Sequence, residues 1–130
     1  MARHKNLGQL EQQVMNFLWQ HGPSTSDVVR AAVSKDRDLS DSTIRTVLRR
    51  LEAKQYVQHE LDGRQFVYSS VREPRKVAAE AVRNVIKNFC RGSLEELLTG
   101  LVDHEVIDSA ELRRLSARIE AEDKKRRKKS

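Results

Sequence analysis

Apolar residues recur at helical spacing along much of the chain, and the pattern is clearest between Asp41 and Lys54. The apolar residues of this segment stand at positions i, i+3, i+4 and i+7, namely Ile44, Val47, Leu48 and Leu51. This spacing places them on one side of a helix. The other sides carry hydroxyl and guanidinium groups, namely Ser42, Thr43, Arg45, Thr46, Arg49 and Arg50. With Ser40 as a suitable N-cap, the pattern predicts an amphipathic helix whose exposed side is basic and rich in hydroxyls.

Two shorter helices are predicted before this segment. The first runs over residues 8–20, and its apolar side is formed by Leu7, Leu10, Val14, Phe17 and Leu18, with Trp19 at the edge. A Gly-Pro pair at residues 22–23 ends it, because glycine suits a left-handed cap and proline cannot continue a helix. Ser24 with Asp27 resembles a capping box, which predicts a second helix over residues 25–33.

Strand-like alternation replaces the helical spacing after Lys54. Asp62-Gly63 is a strong signal for a two-residue hairpin turn. Pairing across this turn would set three pairs opposite each other: Leu61 and Arg64, His59 and Phe66, and Val57 and Tyr68. The last two pairs then share a face that should pack on the helices. Arg64 would lie at the tip, where it either reaches a phosphate or is merely solvated. A brief strand is also expected at Leu39.

The second half of the chain shows helical spacing three more times. Pro74 suits a first helical position, and Ser93 and Asp108 are suitable caps for two further helices. Three such thin helices would not close a core by themselves. We therefore expect two copies of the chain to pair through them, the alternative being that they pack on the first half of the same chain. The residues expected in the dimer contact are Val77, Ala81, Val82, Val85, Ile86, Phe89, Leu94, Leu97, Leu98, Leu101, Leu112 and Leu115.

Charge is distributed unevenly along the 130 residues, whose formal net charge is +6. Residues 1–72 carry 11 basic and 8 acidic side chains, whereas residues 73–123 carry 8 basic and 11 acidic ones. The run Lys124–Lys129 adds six basic residues. This asymmetry is compatible with a front that binds nucleic acid and a back that faces protein. The basic run is expected to be a disordered arm that adds non-specific affinity for nucleic acid.

Several classes of function find no support in the sequence. No apolar run approaches 18 residues and no signal-peptide core follows the first residues, so no membrane partner is expected. The single Cys90 excludes an intramolecular disulfide and suits a reducing cytoplasm, where we expect the protein to act. The four histidines are scattered and no Cys-x-x-Cys occurs, so neither a metal nor another cofactor is expected. No nucleophile–base spacing or glycine-rich phosphate loop indicates an enzyme.

Three short helices followed by a hairpin with a basic tip have the layout of a winged helix-turn-helix. The run STIRTVLRRLEAKQYVQHELDGRQFVYSSV resembles the corresponding segment of the penicillinase and methicillin-resistance repressor family, and so does LEQQVMNFLWQHGPSTSDVV. The fold expected is therefore mainly α with a small β-hairpin. We expect a winged-helix DNA-binding domain over residues 1–72, a helical dimerisation domain over residues 73–123, and the basic tail over residues 124–130.

The resemblance implies a dimeric, sequence-specific transcriptional repressor that binds double-stranded DNA at a two-fold symmetric operator, in the manner of systems that respond to lactam antibiotics. When the family's DNA-contacting positions are carried over to this chain, they fall on Ser42, Thr43, Arg45, Thr46 and Arg50. The helical wheel adds Arg49, and the wing tip adds Arg64. Arginines and hydroxyls on an exposed helix suit the base edges and phosphates of the major groove. The alternative is a winged-helix module that binds protein or RNA without operator specificity.

The resemblance also implies an inactivating protease, because lactam-responsive repressors of this family are released by cleavage within their C-terminal helices. The family's Asn-Phe cleavage site aligns here with Gly100-Leu101. The Asn88-Phe89 pair of this chain lies in the preceding helix. The sequence therefore does not predict cleavage at the family's site, and the inducing signal stays open.

Overall fold

The structure, a computed structural model, describes residues 7–35 and 37–129, and its fold is mainly helical with a small antiparallel sheet, as the sequence predicts. The elements in chain order are α1 (Gln9–His21), β1 (Ser24–Thr25), α2 (Ser26–Val33), α3 (Asp41–Ala53), β2 (Val57–Asp62), β3 (Gln65–Ser70), α4 (Pro74–Phe89), α5 (Leu94–Asp103) and α6 (Ser109–Lys128). The chain divides into two compact units, one up to Ala81 and the other from Val82 onward.

The core of the first unit lies where α1, α2 and α3 meet the base of the hairpin. Its buried apolar residues are Val14, Met15, Leu18, Val29, Ile44, Val47, Leu48, Leu51, Tyr56 and Val57. The four apolar positions of α3 are all buried, which confirms the helical spacing of that segment. Met15 is fully buried although the predicted apolar side of α1 omits it, whereas Phe17 is only partly buried against the core.

The start of α2 differs from the prediction. Ser24 belongs to β1 and pairs with Tyr68, and its hydroxyl donates a hydrogen bond to the Gly22 carbonyl (3.0 Å). The N-cap is therefore Thr25, whose hydroxyl accepts a hydrogen bond from the Val28 N–H (3.3 Å). The sheet has the order β1-β3-β2, so its third strand comes from β1 and not from Leu39, which lies outside any strand.

The register of the hairpin also differs from the prediction. The central turn residues are Gly63 and Arg64, and Asp62 pairs with Gln65. Only Gly63 of these two has a positive φ (+64°), which is the arrangement of a type II′ turn with glycine at its first central position. All three predicted pairs were wrong, and the observed ones are Leu61 with Phe66, His59 with Tyr68, and Val57 with Ser70. Because the shift is two residues, the faces are unchanged, and His59, Phe66 and Tyr68 lie together. Of the face predicted to pack on the helices, however, only Val57 and Tyr68 contact the core, whereas His59 and Phe66 are exposed.

Side chains from three elements hold the end of the hairpin to the helices. Trp19 donates its indole N–H to the Ser70 hydroxyl (2.9 Å) and to the Arg72 carbonyl (2.8 Å). The Arg72 guanidinium lies 5.1 Å from the centre of the Tyr56 ring, and its Nη2 is 2.7 Å from Oε2 of Glu80. The first turns of α4 therefore belong to the first unit, which extends past the boundary that the sequence suggests at residue 73.

The second unit consists of helices, and its described residues form no buried core. None of the described residues from Val82 to Lys129 is buried. Large apolar side chains are exposed, including Phe89 (81%), Val106 (70%), Ile119 (63%) and Leu94 (55%). Helix α6 continues through Lys128, so the disordered arm predicted from the charge run is not what the structure contains. Lysine and arginine are good helix formers, and cations are favoured at the C-terminal end of a helix.

Candidate nucleic-acid interface

One side of α3 is exposed along its whole length. The six positions predicted on this helix all lie on that exposed side: Ser42, Thr43, Arg45, Thr46, Arg49 and Arg50. The opposite side is buried, so the core fixes which groups the helix presents outward. Ser40 caps the helix as predicted, because its hydroxyl accepts a hydrogen bond from the Thr43 N–H (3.2 Å).

A groove of about 470 Å³ runs between the start of α2, α3 and the hairpin. Its lining residues are Ser26, Asp27, Arg45, Arg49, Arg64, Gln65, Phe66 and Tyr68. The hairpin therefore brings Arg64 to the same groove as two arginines of α3, although 14 residues separate it from the nearer one. Three guanidinium groups around one groove form a site that attracts anions.

Tyr68 lies on the wall of this groove. Burial raises the pKa of the Tyr68 phenol and the carboxylate of Glu52 raises it further, whereas the charges of Arg49 and Arg45 act in the opposite direction. The phenol is therefore neutral at physiological pH and remains a hydrogen-bond donor and acceptor. Because Tyr68 lines the same groove as Arg45 and Arg49, its ring lies near the cationic groups of α3.

A second groove, of about 450 Å³, lies on the other flank of α3. Its lining residues are Gly8, Gln9, Leu10 and Glu11 at the start of α1, and Ser42, Thr43, Thr46, Val47 and Arg50 of α3. The N-terminal end of a helix carries partial positive charge and outward N–H groups. The site residues of α3 are thus divided between two grooves, with Arg45 and Arg49 on the hairpin side and Arg50 on the α1 side.

The hydroxyl groups of α3 are partly used within the helix. Thr46 donates its hydroxyl proton to the Ser42 carbonyl (2.8 Å), so the outward functions of Thr46 are its methyl group and its oxygen lone pairs. The Ser42 and Thr43 hydroxyls lie 3.1 and 2.9 Å from the Ser40 hydroxyl. These contacts order the first turn of the helix before any ligand is present.

Polar side-chain contacts at three points attach α3 to its neighbours. Arg30 Nε lies 2.7 Å from Oδ1 of Asp41, which joins α2 to the start of α3. His59 Nδ1 lies 2.6 Å from Oε2 of Glu52, which joins β2 to α3. The third pair joins the end of α3 to α1, and it is largely buried.

This third pair is formed by Glu11 and Lys54, whose Nζ donates to Oε1 of the carboxylate at 2.7 Å. The Gly8 N–H donates to the same oxygen, also at 2.7 Å. Burial by itself raises the pKa of Glu11, but these two hydrogen bonds and the charges of Lys54 and Arg50 outweigh it, and the pKa lies below its ordinary value. The carboxylate thus stays ionised beneath the α1-side groove.

Sequence reasoning missed the groove residues that come from α1, α2 and β3. The sequence predicts only a capping role for Asp27 and a packing role for Phe66 and Tyr68. Both grooves depend on contacts between elements distant in sequence, for which a helical wheel gives no signal.

Among residues 7–35 and 37–129, no group of three His, Cys, Asp or Glu side chains is placed to hold a metal ion. No helix in this part of the chain has both the length and the apolar character needed to cross a bilayer.

Comparison with known proteins gives concordant results. The chain matches the penicillinase repressor family over residues 7–121. It is 36% identical over 124 residues to the transcriptional regulator BlaI of Mycobacterium tuberculosis (strain ATCC 25618 / H37Rv), a match covering 93% of this chain and 90% of that protein. It is 27% identical over 105 residues to the methicillin resistance regulatory protein MecI of Mammaliicoccus sciuri, with 81% and 85% covered. The solution structure of the DNA binding domain of the repressor BlaI is similar at a TM-score of 0.51 and 31% identity, covering 57% of this chain and 90% of that one.

Proposed function

The chain belongs to the penicillinase repressor family of transcriptional regulators, and from this premise we propose that it is a dimeric, sequence-specific repressor that binds a two-fold symmetric DNA operator. In this proposal α3 enters the major groove of double-stranded DNA. The wing, which is the hairpin of β2 and β3, contacts the backbone beside it. The single observation that carries the proposal is the groove that joins Arg45 and Arg49 of α3 to Arg64 of the wing.

The proposed contacts are divided by the chemistry of each side chain. Arg45 and Arg49 are exposed near the middle of α3, and a guanidinium group can donate two hydrogen bonds to the O6 and N7 atoms of guanine. Thr46 adds a methyl group that suits thymine. Arg50, on the flank nearer to α1, and Arg64, in the wing turn, are assigned to phosphates. Ser42 and Thr43 lie in the first turn of α3, where their hydroxyls also suit phosphate oxygens.

Dimerisation is proposed through the second unit. Its helices expose Val82, Val85, Phe89 and Leu94, and none of its described residues is buried. Exposed apolar side chains of this number favour a partner that covers them, and a second copy of the same chain supplies an identical surface. Two winged helices in one dimer would bind two half-sites, which is the reason for proposing an operator with two-fold symmetry.

The proposal includes no proteolytic release. Gly100 and Leu101 lie within α5, and Asn88 and Phe89 lie at the end of α4. The residue pair that defines cleavage in the lactam-responsive repressors is therefore absent from the position where the family has it. Residues of this chain give no reason to assign an inactivating protease or an inducing signal.

Selection from a pool of random-sequence duplexes tests the proposal. Full-length protein is bound to the pool, and the retained duplexes are sequenced after several rounds. We expect enrichment of one motif that repeats with inverted symmetry and with centres one or two helical turns apart, about 10 or 20 base pairs. An Arg45→Ala, Arg49→Ala double variant should enrich no such motif. Retention without any motif by the unmodified protein would contradict sequence-specific binding, and retention of RNA or protein alone would favour the alternative module.

A further inference from the structure

We propose that the basic end of α6, defined as residues Lys124–Lys129, is a second DNA-binding surface that binds phosphates without reading sequence. The inference goes beyond the α3 interface, and it rests on the proposed function only in taking duplex DNA as the ligand. The match to the penicillinase repressor family covers residues 7–121, so the basic end lies outside the matched residues.

The basic end carries a high density of positive charge. Six consecutive residues carry positive charge, and all six side chains are exposed. Helix α6 continues through Lys128, and Lys129 is its C-cap. At about 100° and 1.5 Å per residue, the six cations surround the helix within less than about 10 Å of its length. The basic end is therefore a compact cationic tip and not a stripe along one face.

Neighbouring groups offset only part of this charge. Arg127 Nη2 lies 3.3 Å from Oδ2 of Asp123, and this pair is exposed. The C-terminal end of the helix contributes the equivalent of roughly half a negative charge. Like charges three and four residues apart repel each other on a helix. A polyanion placed against the tip would relieve this repulsion and release its own counterions.

The composition of the basic end favours DNA over a lipid surface. A helix that lies on a membrane needs a broad apolar side that inserts among the lipids. The last large apolar residue of α6 is Ile119, and no large apolar residue follows it. A cationic tip without an apolar side suits a phosphate backbone, which has a high and regular density of charge.

Two matched variants of the full chain test this inference. The test variant carries Lys124→Gln, Lys125→Gln and Arg126→Gln. The control variant carries Arg113→Gln, Arg114→Gln and Arg118→Gln, which removes the same charge from exposed positions of the same helix. Glutamine is a good helix former, so far-UV circular dichroism should show unchanged helicity for both. Binding is measured by fluorescence anisotropy on a mixed-sequence duplex of about 30 base pairs, roughly three helical turns, over a series of salt concentrations.

We expect the test variant to lower the slope of log K against log salt by about 2 to 3 for each bound chain, because about 0.9 counterion is released per phosphate contact. Its affinity at 0.1 M salt should fall by at least about tenfold, with the control variant within about twofold of the unmodified protein. Equal slopes for test and control variants would overturn the inference. So would a change of sequence preference in the test variant, or tail-dependent binding to vesicles of anionic phospholipid with DNA binding unaffected.

Failure of this inference and failure of the proposed function give different results. The mixed-sequence duplex needs no operator, so its salt dependence reports on the basic end even if no operator exists. Conversely, a selected operator that is preferred equally by unmodified protein and test variant supports the proposed function. In that case only the salt slope tests whether the basic end binds DNA.

Discussion

Each exposed arginine near the middle of α3 directly follows a residue that is buried in the core. Ile44 and Leu48 are fully buried, and Arg45 and Arg49 follow them directly, so both guanidinium groups start from fixed points of the backbone. Neither arginine contributes to the buried core. Binding and folding can therefore be changed separately at these positions.

Replacing Arg45 or Arg49 with alanine should weaken binding to the selected operator by about 1–3 kcal/mol for each side chain that contacts a base edge. Binding to a scrambled duplex should weaken less, and the preference should relax at one base pair in each half-site. The melting temperature should hardly move, since exposed substitutions usually change stability by less than about 0.5 kcal/mol. Arg113→Ala, at an exposed position of α6, is the matched control. Unchanged operator binding in both α3 variants would remove these residues from the interface.

Arg64 should behave differently, because it occupies the second central position of the wing turn and is assigned to a phosphate. Arg64→Ala should lower the affinity for operator and scrambled duplexes by the same factor and reduce the salt slope by about 1. Arg64→Lys should restore most of the loss, since a phosphate accepts a point charge as well as a planar fork. Loss of binding on the operator alone would show that Arg64 reads a base.

At the scale of elements, amphipathic spacing predicted α1, α2 and α3 within one or two residues, and the change of period located the hairpin. The hairpin register could not be predicted, because Gly63 can serve at either central position of a two-residue turn. Strand β1 has only two residues and no period of its own. The grooves beside α3 depend on which side chains of β3 and α1 approach it, and such contacts are fixed by packing over long sequence distances.

The buried pair of Glu11 and Lys54 gives the first unit a definite pH dependence. The folded state lowers the pKa of Glu11 below its ordinary value of 4.5. A depressed carboxylate pKa contributes stability above the unfolded-state value, and this contribution is lost as the pH falls through the folded-state value. The free energy of unfolding of the unmodified protein minus that of Glu11→Gln should therefore be constant near neutral pH and shrink below about pH 4.5.

Chemical denaturation at a series of pH values measures this difference. The exposed Glu60 of β2 provides the control, and Glu60→Gln should change the unfolding free energy little at any pH. A Glu11 difference that grew on acidification would contradict the sign of the pKa shift. Because Glu11 lies beneath the α1-side groove, operator affinity should be checked on the same variant.

For the whole molecule, the exposed apolar residues of the second unit favour assembly with another surface that covers them. Light scattering on the purified protein should give about twice the chain mass of 15.0 kDa at micromolar concentration. Val85→Asp and Phe89→Asp should each shift the protein toward monomer, since burying an unpaired carboxylate costs several kcal/mol. Asn84→Asp adds the same charge at an exposed position about 100° around the helix from Val85 and should leave the dimer intact. A monomeric unmodified protein would exclude this mode of assembly.

The family that the sequence indicates is confirmed, whereas the division into a DNA-binding front and a dimerising back stays a prediction. The basic end was predicted to be disordered because a run of charges usually is. Helix α6 includes it because no glycine or proline interrupts the chain between Ser109 and Lys128. The boundary of the first unit lies within α4, since Val77 packs against the core and Glu80 pairs with Arg72.

Sedimentation velocity on protein–DNA mixtures tests whether two chains bind one operator together. The unmodified protein is mixed with a duplex carrying the selected operator, and with the same duplex after one half-site has been scrambled. We expect two chains on the intact duplex and an affinity that falls by roughly a hundredfold or more on the altered one, because each mismatched base pair costs about 1–3 kcal/mol. One chain per duplex with equal affinity for both duplexes would contradict it.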